Sequence, residues 1–162
     1  MIHNSSINKK FVSQISVNIN EEGSIELFND GNGIDIAKHP EFDIWIPEMI
    51  FGHLRTSTNY DKDEKRIVGG KNGFGFKLVL IWSTWGQIET VDSKTGQKYI
   101  QTFKNNLDII EPPIITKSQS KPYTIVKFKP DFKRFGIDGL SDDFKSLILR
   151  RIYDIAAVTN KS

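Results

Sequence analysis

Apolar and polar residues alternate along FVSQISVNI at positions 11–19, the period of a half-buried strand. Glu21-Glu22-Gly23 then supplies a turn and residues 24–28 continue as a second strand, so the pair predicts a hairpin. The second strand runs into Asn29-Asp30-Gly31-Asn32-Gly33, which cannot continue a ladder and has to turn. Residues 43–51, with Trp45 and Pro47, are apolar and predict a short helix entered through Pro47. From Gly52 to Gly75 the periodicity disappears and the chain turns polar and glycine-rich around a DKDEKR cluster. An aperiodic stretch of that length is either a functional lid or disorder.

Residues 76–82 are apolar and compatible with a helix, and two strands follow at 87–92 and 98–104, turned by Thr95-Gly96. Pro112-Pro113 confines residues 109–115 to a loop or a sheet edge. The clean alternation at 123–128 predicts a strand. Residues 141–158 predict the longest helix: Ser141 can cap it, Asp142 and Asp143 suit its positive end, and Phe144, Leu147, Ile148, Ile152 and Ile155 share a face. Strands clustered with flanking helices, instead of alternating with them, predict an α+β fold: a two-layer α/β sandwich on a mostly antiparallel sheet.

Composition narrows the classes. The 162 residues suit one domain, and 38% hydrophobic with 26% charged residues is the balance of a globular chain. The net charge is only +2, so charge across the whole sequence offers no reason for tight nucleic-acid binding by this chain alone. No cysteine is present, which excludes disulfides and Cys-based zinc sites, and His3, His39 and His53 lack ligand-like spacing. No apolar run reaches membrane-spanning length and MIHNSSINKK has no apolar signal core, so an intracellular, soluble protein without a membrane partner is expected.

Three segments carry candidate chemistry. In Asn29–Gly33 the alternate glycines Gly31 and Gly33 permit positive φ and close approach of backbone to a ligand, and a carboxamide ending a strand can address the edge of a base. Alone, the motif reads better as an Asn/Asp/Gly turn with no ligand. Gly69-Gly70-Lys71-Asn72-Gly73-Phe74-Gly75-Phe76-Lys77 leads into a helix, so its N–H groups can gather around an anion and Lys71 or Lys77 can reach phosphate oxygens. It is neither a Walker loop nor a dinucleotide fingerprint, because the residue spacing is wrong for both. Thr56-Ser57-Thr58-Asn59-Tyr60 offers hydroxyls and amides suited to ribose or phosphate, or simply a polar loop after a helix.

The order of these segments resembles the GHKL ATPases, which include topoisomerases, heat-shock chaperones, mismatch-repair proteins and sensor kinases. PEMIFGHLRTSTNYDKDEKRIVGGKNGFGFKL is similar to the ATPase region of eukaryotic-type DNA topoisomerase II almost residue for residue, and QTFKNNLDIIEPPI and LILRRIYDIAA also fit, with a viral flavour in LDIIEPP. The resemblance spans roughly residues 11 to 160. It implies that Asn29 reads adenine where most GHKL proteins use Asp, over a turn shaped by Gly31 and Gly33. It implies that Ser57, Thr58 and Asn59 contact ribose and phosphate, and that Gly70, Lys71, Asn72, Gly73, Phe74, Gly75, Phe76 and Lys77 wrap the triphosphate, with Lys77 a leading phosphate contact.

The same resemblance implies ATP and Mg²⁺ as cofactors, DNA as partner of the full-length enzyme, a homodimer, and a nuclear or viral/host cytoplasmic setting. It divides residues 1–162 into a start without an element (1–10), an ATP lid (52–77) and a closing helix (141–159). In the family a helix before the first hairpin carries the general-base Glu and a metal-binding Asn, and residues 1–10 contain no Glu. An N-terminally truncated ATPase domain is therefore expected, with its catalytic Glu and metal ligand upstream of Met1, binding ATP without hydrolysing it alone. The competing expectation is a non-catalytic nucleotide-binding or regulatory module that kept the fold.

Overall fold

The computed structural model describes residues 12–53 and 74–158. Strands β1 (Ile15–Ile19) and β2 (Ile25–Asn29) form the N-terminal hairpin. Its turn closes through the Gly23 amide donating to the Asn20 carbonyl at 3.0 Å, with Gly23 at φ 77°. Helix α1 (Ile46–Gly52) starts with Pro47 in its first turn, where a missing N–H costs nothing. Helix α2 (Gly75–Ile81) follows the 54–73 stretch, and then β3 (Ser83–Val91), β4 (Gln97–Lys104), β5 (Ile109–Ile110), β6 (Ile114–Lys117), β7 (Tyr123–Pro130) and α3 (Asp142–Val158). Pro112 and Pro113 sit between β5 and β6, two short edge strands that both pair with β4.

All seven strands join one sheet, β6 pairing with β4 beside the main order β1-β2-β7-β3-β4-β5, and every pairing is antiparallel. The registers align one face into three rows across the sheet. Ile19, Ile25, Phe128, Gly86 and Phe103 make one; Val17, Leu27, Val126, Ile88 and Gln101 the next; Ile15, Asn29, Thr124, Thr90 and Tyr99 the third. The first two rows are mainly apolar, and Phe51 of α1 and Leu80 of α2 pack with Ile88, Phe103 and Val126 as the buried cluster. Gly86 is required there, since a Cβ would lie 2.4 Å from the Leu80 side chain. The opposite face is mixed: Phe28, Ile125 and Ile100 share a row with Glu89, and ion pairs bridge Lys127–Glu26 at 2.9 Å and Lys98–Glu89 at 2.7 Å.

Helix α3 departs from expectation in its packing. It forms as predicted, and Ser141 Oγ accepts the Phe144 amide at 3.2 Å. Yet none of its residues is buried. Its apolar face, with Val17, Ile25, Leu27 and Phe128 of the sheet, lines an open cleft of about 830 Å³. Amphipathic periodicity predicts which residues share a face, but not that a neighbouring layer reaches them.

Candidate functional site

The third row is where the sheet turns polar. Asn29 ends β2 and is 5% exposed, Thr124 is 8% exposed and Thr90 is fully buried. Buried polar groups need partners. Asn29 Oδ1 accepts the Gly31 amide at 3.1 Å, folding the chain over the end of its own strand. Its Nδ2 hydrogens meet no acceptor among the described residues. Thr90 Oγ1 accepts the Ile34 amide at 3.0 Å, approaches the Tyr123 carbonyl at 2.9 Å and lies 3.0 Å from Thr124 Oγ1.

The turn after Asn29 is clamped from below by the β3–β4 hairpin. Asp92 accepts from the Ile36 and Lys94 amides and from the Thr95 hydroxyl, and Ser93 N–H donates to the Asn32 carbonyl. Burial opposes charge on Asp92, but these donors and the nearby Lys94 ammonium outweigh it and hold the carboxyl below the ordinary aspartate range. Gly33 has φ 76°, and a Cβ there would sit 1.9 Å from the Val91 carbonyl oxygen. Only glycine fits. Gly31, by contrast, does not take positive φ; of the two expected glycines only Gly33 uses that freedom.

Asp30 faces away from this task. It accepts from the Ser13 amide, the Ser13 hydroxyl and the Gln14 amide, tying β1 to the end of β2. Those bonds overcome its burial and keep its carboxyl below the usual value.

On the glycine-rich side, Phe74 precedes α2, and Gly75, Phe76 and Lys77 form its first turn. Phe76 is packed edge-on against Phe51 at 5.2 Å and Phe128 at 6.2 Å, so its side chain belongs to the core and only its backbone is available to a ligand. Phe128 lies four residues beyond Thr124 on β7, about 13 Å along the strand at ~3.3 Å per residue. Lys77 is 2% exposed, and burial pushes its ammonium pKa down. Ser57, Thr58, Asn59, Gly70, Lys71, Asn72 and Gly73 lie outside the described residues.

Sequence reasoning missed Thr90, Thr124 and Asp92. Their signal was present only as a polar residue ending an apolar alternation: Gly86-Ile88-Thr90 on β3 and Thr124-Val126-Phe128 on β7. The register that sets Asn29 beside Thr124 and Thr124 beside Thr90 belongs to the folded sheet.

An antiparallel α+β sandwich with a buried amide at a strand end, over a glycine-shaped turn, fits the GHKL ATPase class that the sequence resembles. No family model matches the chain. It is 51% identical over 146 residues to DNA topoisomerase 2 of Candida glabrata, an alignment covering 89% of the chain and 10% of that protein. DNA topoisomerase 2 of Acanthamoeba polyphaga mimivirus is 50% identical over 147 residues, 90% of the chain and 12% of the relative. The ATPase region of Saccharomyces cerevisiae topoisomerase II superposes with a TM-score of 0.88 at 49% identity, covering 94% of the chain and 41% of that structure. The chain belongs to the eukaryotic and viral DNA topoisomerase II family, within its ATPase region, and spans about a tenth of the length of the curated relatives it matches.

Proposed function

We propose that this chain is the base-binding part of a topoisomerase II ATPase domain and takes the adenine of ATP against Asn29 and Thr124, with Thr90 behind them. The carrying observation is Asn29: a side chain 5% exposed whose amide hydrogens have no partner among the described residues. An unmet buried donor costs roughly 1–3 kcal/mol, and a ligand acceptor removes that cost. Residues 52–77 form the ATP lid in this reading, with Ser57, Thr58 and Asn59 on ribose and phosphate and Gly70 to Lys77 around the triphosphate. Residues 1–162 act as one domain, closed by the helix at 141–159. The full-length enzyme passes one DNA duplex through another as a homodimer, with ATP closing a gate, in the nucleus or the host cytoplasm. No helix among the described residues is long and apolar enough to cross a membrane.

Magnesium would be held largely by the oxygens of the triphosphate itself, with its protein ligand, an Asn, outside this chain. The described residues contain no group of three or more His, Asp or Glu side chains able to hold a metal, and Asp30 and Asp92 beside the turn are taken up by backbone and hydroxyl donors. The same commitment of Asp30 and Asp92 favours a second reading, a module that binds nucleotide without hydrolysing it.

Affinity for a non-hydrolysable ATP analogue tests the site. Asn29→Ala is expected to weaken binding by about tenfold or more, the cost of one hydrogen bond in a buried pocket. Equal affinity in the two proteins would remove Asn29 from the base site.

A further inference from the structure

We infer that Thr90, which is fully buried behind the site, decides which purine the row accepts by fixing the direction of the Thr124 hydroxyl. The inference rests on the adenine-site reading above. A threonine hydroxyl has one hydrogen to donate and two lone pairs to receive. Thr90 Oγ1 lies 2.9 Å from the Tyr123 carbonyl oxygen, and a carbonyl brings no hydrogen, so the proton between them is that of Thr90. Its distance of 3.0 Å to Thr124 Oγ1 also requires a proton between two oxygens, and only Thr124 has one left to give. The Ile34 amide fills the second lone pair of Thr90 at 3.0 Å. Every donor and acceptor site of Thr90 is then occupied.

Thr124 is left with its hydrogen turned inward and with lone pairs that receive no donor among the described residues. It is 8% exposed and sits directly opposite Asn29 in the β2–β7 register, so those lone pairs border the space where the base is placed. A hydroxyl that can only accept is satisfied by a ligand donor and repelled by a ligand acceptor. The 6-amino group of adenine is a donor; the 6-oxo group of hypoxanthine or guanine is an acceptor. Thr90 is thus a positioning residue for specificity, remote from the ligand, and the chain selects 6-amino over 6-oxo purine nucleotides.

The test is competition of ATP and inosine triphosphate for the 162-residue chain. The wild-type protein is expected to prefer ATP by about tenfold, the scale of one hydrogen bond gained or lost in a buried site. Thr90→Val keeps the shape and removes the hydroxyl; Thr124 is then free to rotate and donate, and the preference should fall toward parity. Thr90→Ser should restore it. A loss of affinity that is equal for both nucleotides, or an unchanged preference in Thr90→Val, overturns the inference, because a purely structural role would not alter the ratio. Where thermal melting shows Thr90→Val unfolded, Thr124→Val decides: it must abolish the preference, and its survival overturns the inference. No binding of either nucleotide by the wild-type chain overturns the adenine site itself, whereas binding with a ratio indifferent to Thr90 overturns only the role of Thr90.

Discussion

Gly33 and Asp92 meet at the same turn and support it differently. Gly33 supplies a backbone conformation at φ 76° with no room for a Cβ against the Val91 carbonyl. Gly33→Ala should cost about 1–2 kcal/mol for the left-handed conformation alone, and more as β3 is displaced. Urea unfolding reads the first cost and ATP-analogue affinity the second effect, with both expected to fall together. Asp92 supplies charge. Its folded pKa lies below the ordinary aspartate value despite its burial, because the Lys94 and Ile36 amides and the Thr95 hydroxyl all donate to it. A depressed folded pKa contributes stability that is fully present above the unfolded value, near ~3.9, and is lost as pH falls through the folded value. Asp30 is shifted in the same direction and adds to that acid limb. Asp92→Asn should therefore lower stability at pH 7 and flatten the loss below pH ~4, measured as melting temperature against pH.

At the scale of elements, α2 and α3 contrast. Leu80 of α2 is 1% exposed against Gly86 and the Phe51–Phe103 cluster, so Leu80→Ala should cost about 2–5 kcal/mol. Leu147 of α3 is 49% exposed on the open cleft, and Leu147→Ala should cost under about 1 kcal/mol, because little burial is lost. Chemical denaturation of the two variants reads the difference directly. The same contrast shows how much was legible beforehand. Helix α3 could be placed from its cap and periodicity, and the β1–β2 and β3–β4 hairpins from their turns, because those signals are local. The depth of packing on α3 and the start of β3 at Ser83, four residues before alternation becomes clear, depend on the elements across the sheet. Asn29 and Gly33 could be singled out only together with the polar run and glycine loop downstream, because a strand running into Asn-Asp-Gly-Asn-Gly reads by itself as a turn. Thr124 and Thr90 could not, because their meaning comes from a register between strand positions 34 residues apart in the chain.

Taken whole, the proposed base site lies at one end of the sheet, and the disposition of the carboxylates around it bears on what a bound nucleotide could undergo. A positioned general base contributes roughly 10²–10⁴-fold to a rate, and it must have a lone pair free for the attacking water. Asp30 is held by Ser13 and Gln14, and Asp92 by Ile36, Lys94 and Thr95. Glu48 receives Gln101 Nε2 at 2.8 Å and pairs with His53 at 3.2 Å. Glu26 and Glu89 lie on the opposite face, engaged by Lys127 and by Lys98 with Tyr123. Among the described residues Asp30 and Asp92 each receive three donors from the fold, and freeing either for proton transfer would loosen the turn after Asn29. The 162-residue chain should therefore bind ATP, sensitively to Asn29→Ala, while releasing inorganic phosphate no faster than buffer containing Mg²⁺ and ATP. Phosphate release well above that background, abolished by Asn29→Ala in the same preparation, would mean that a base acts from within this chain and would overturn the assignment of hydrolysis to residues outside it.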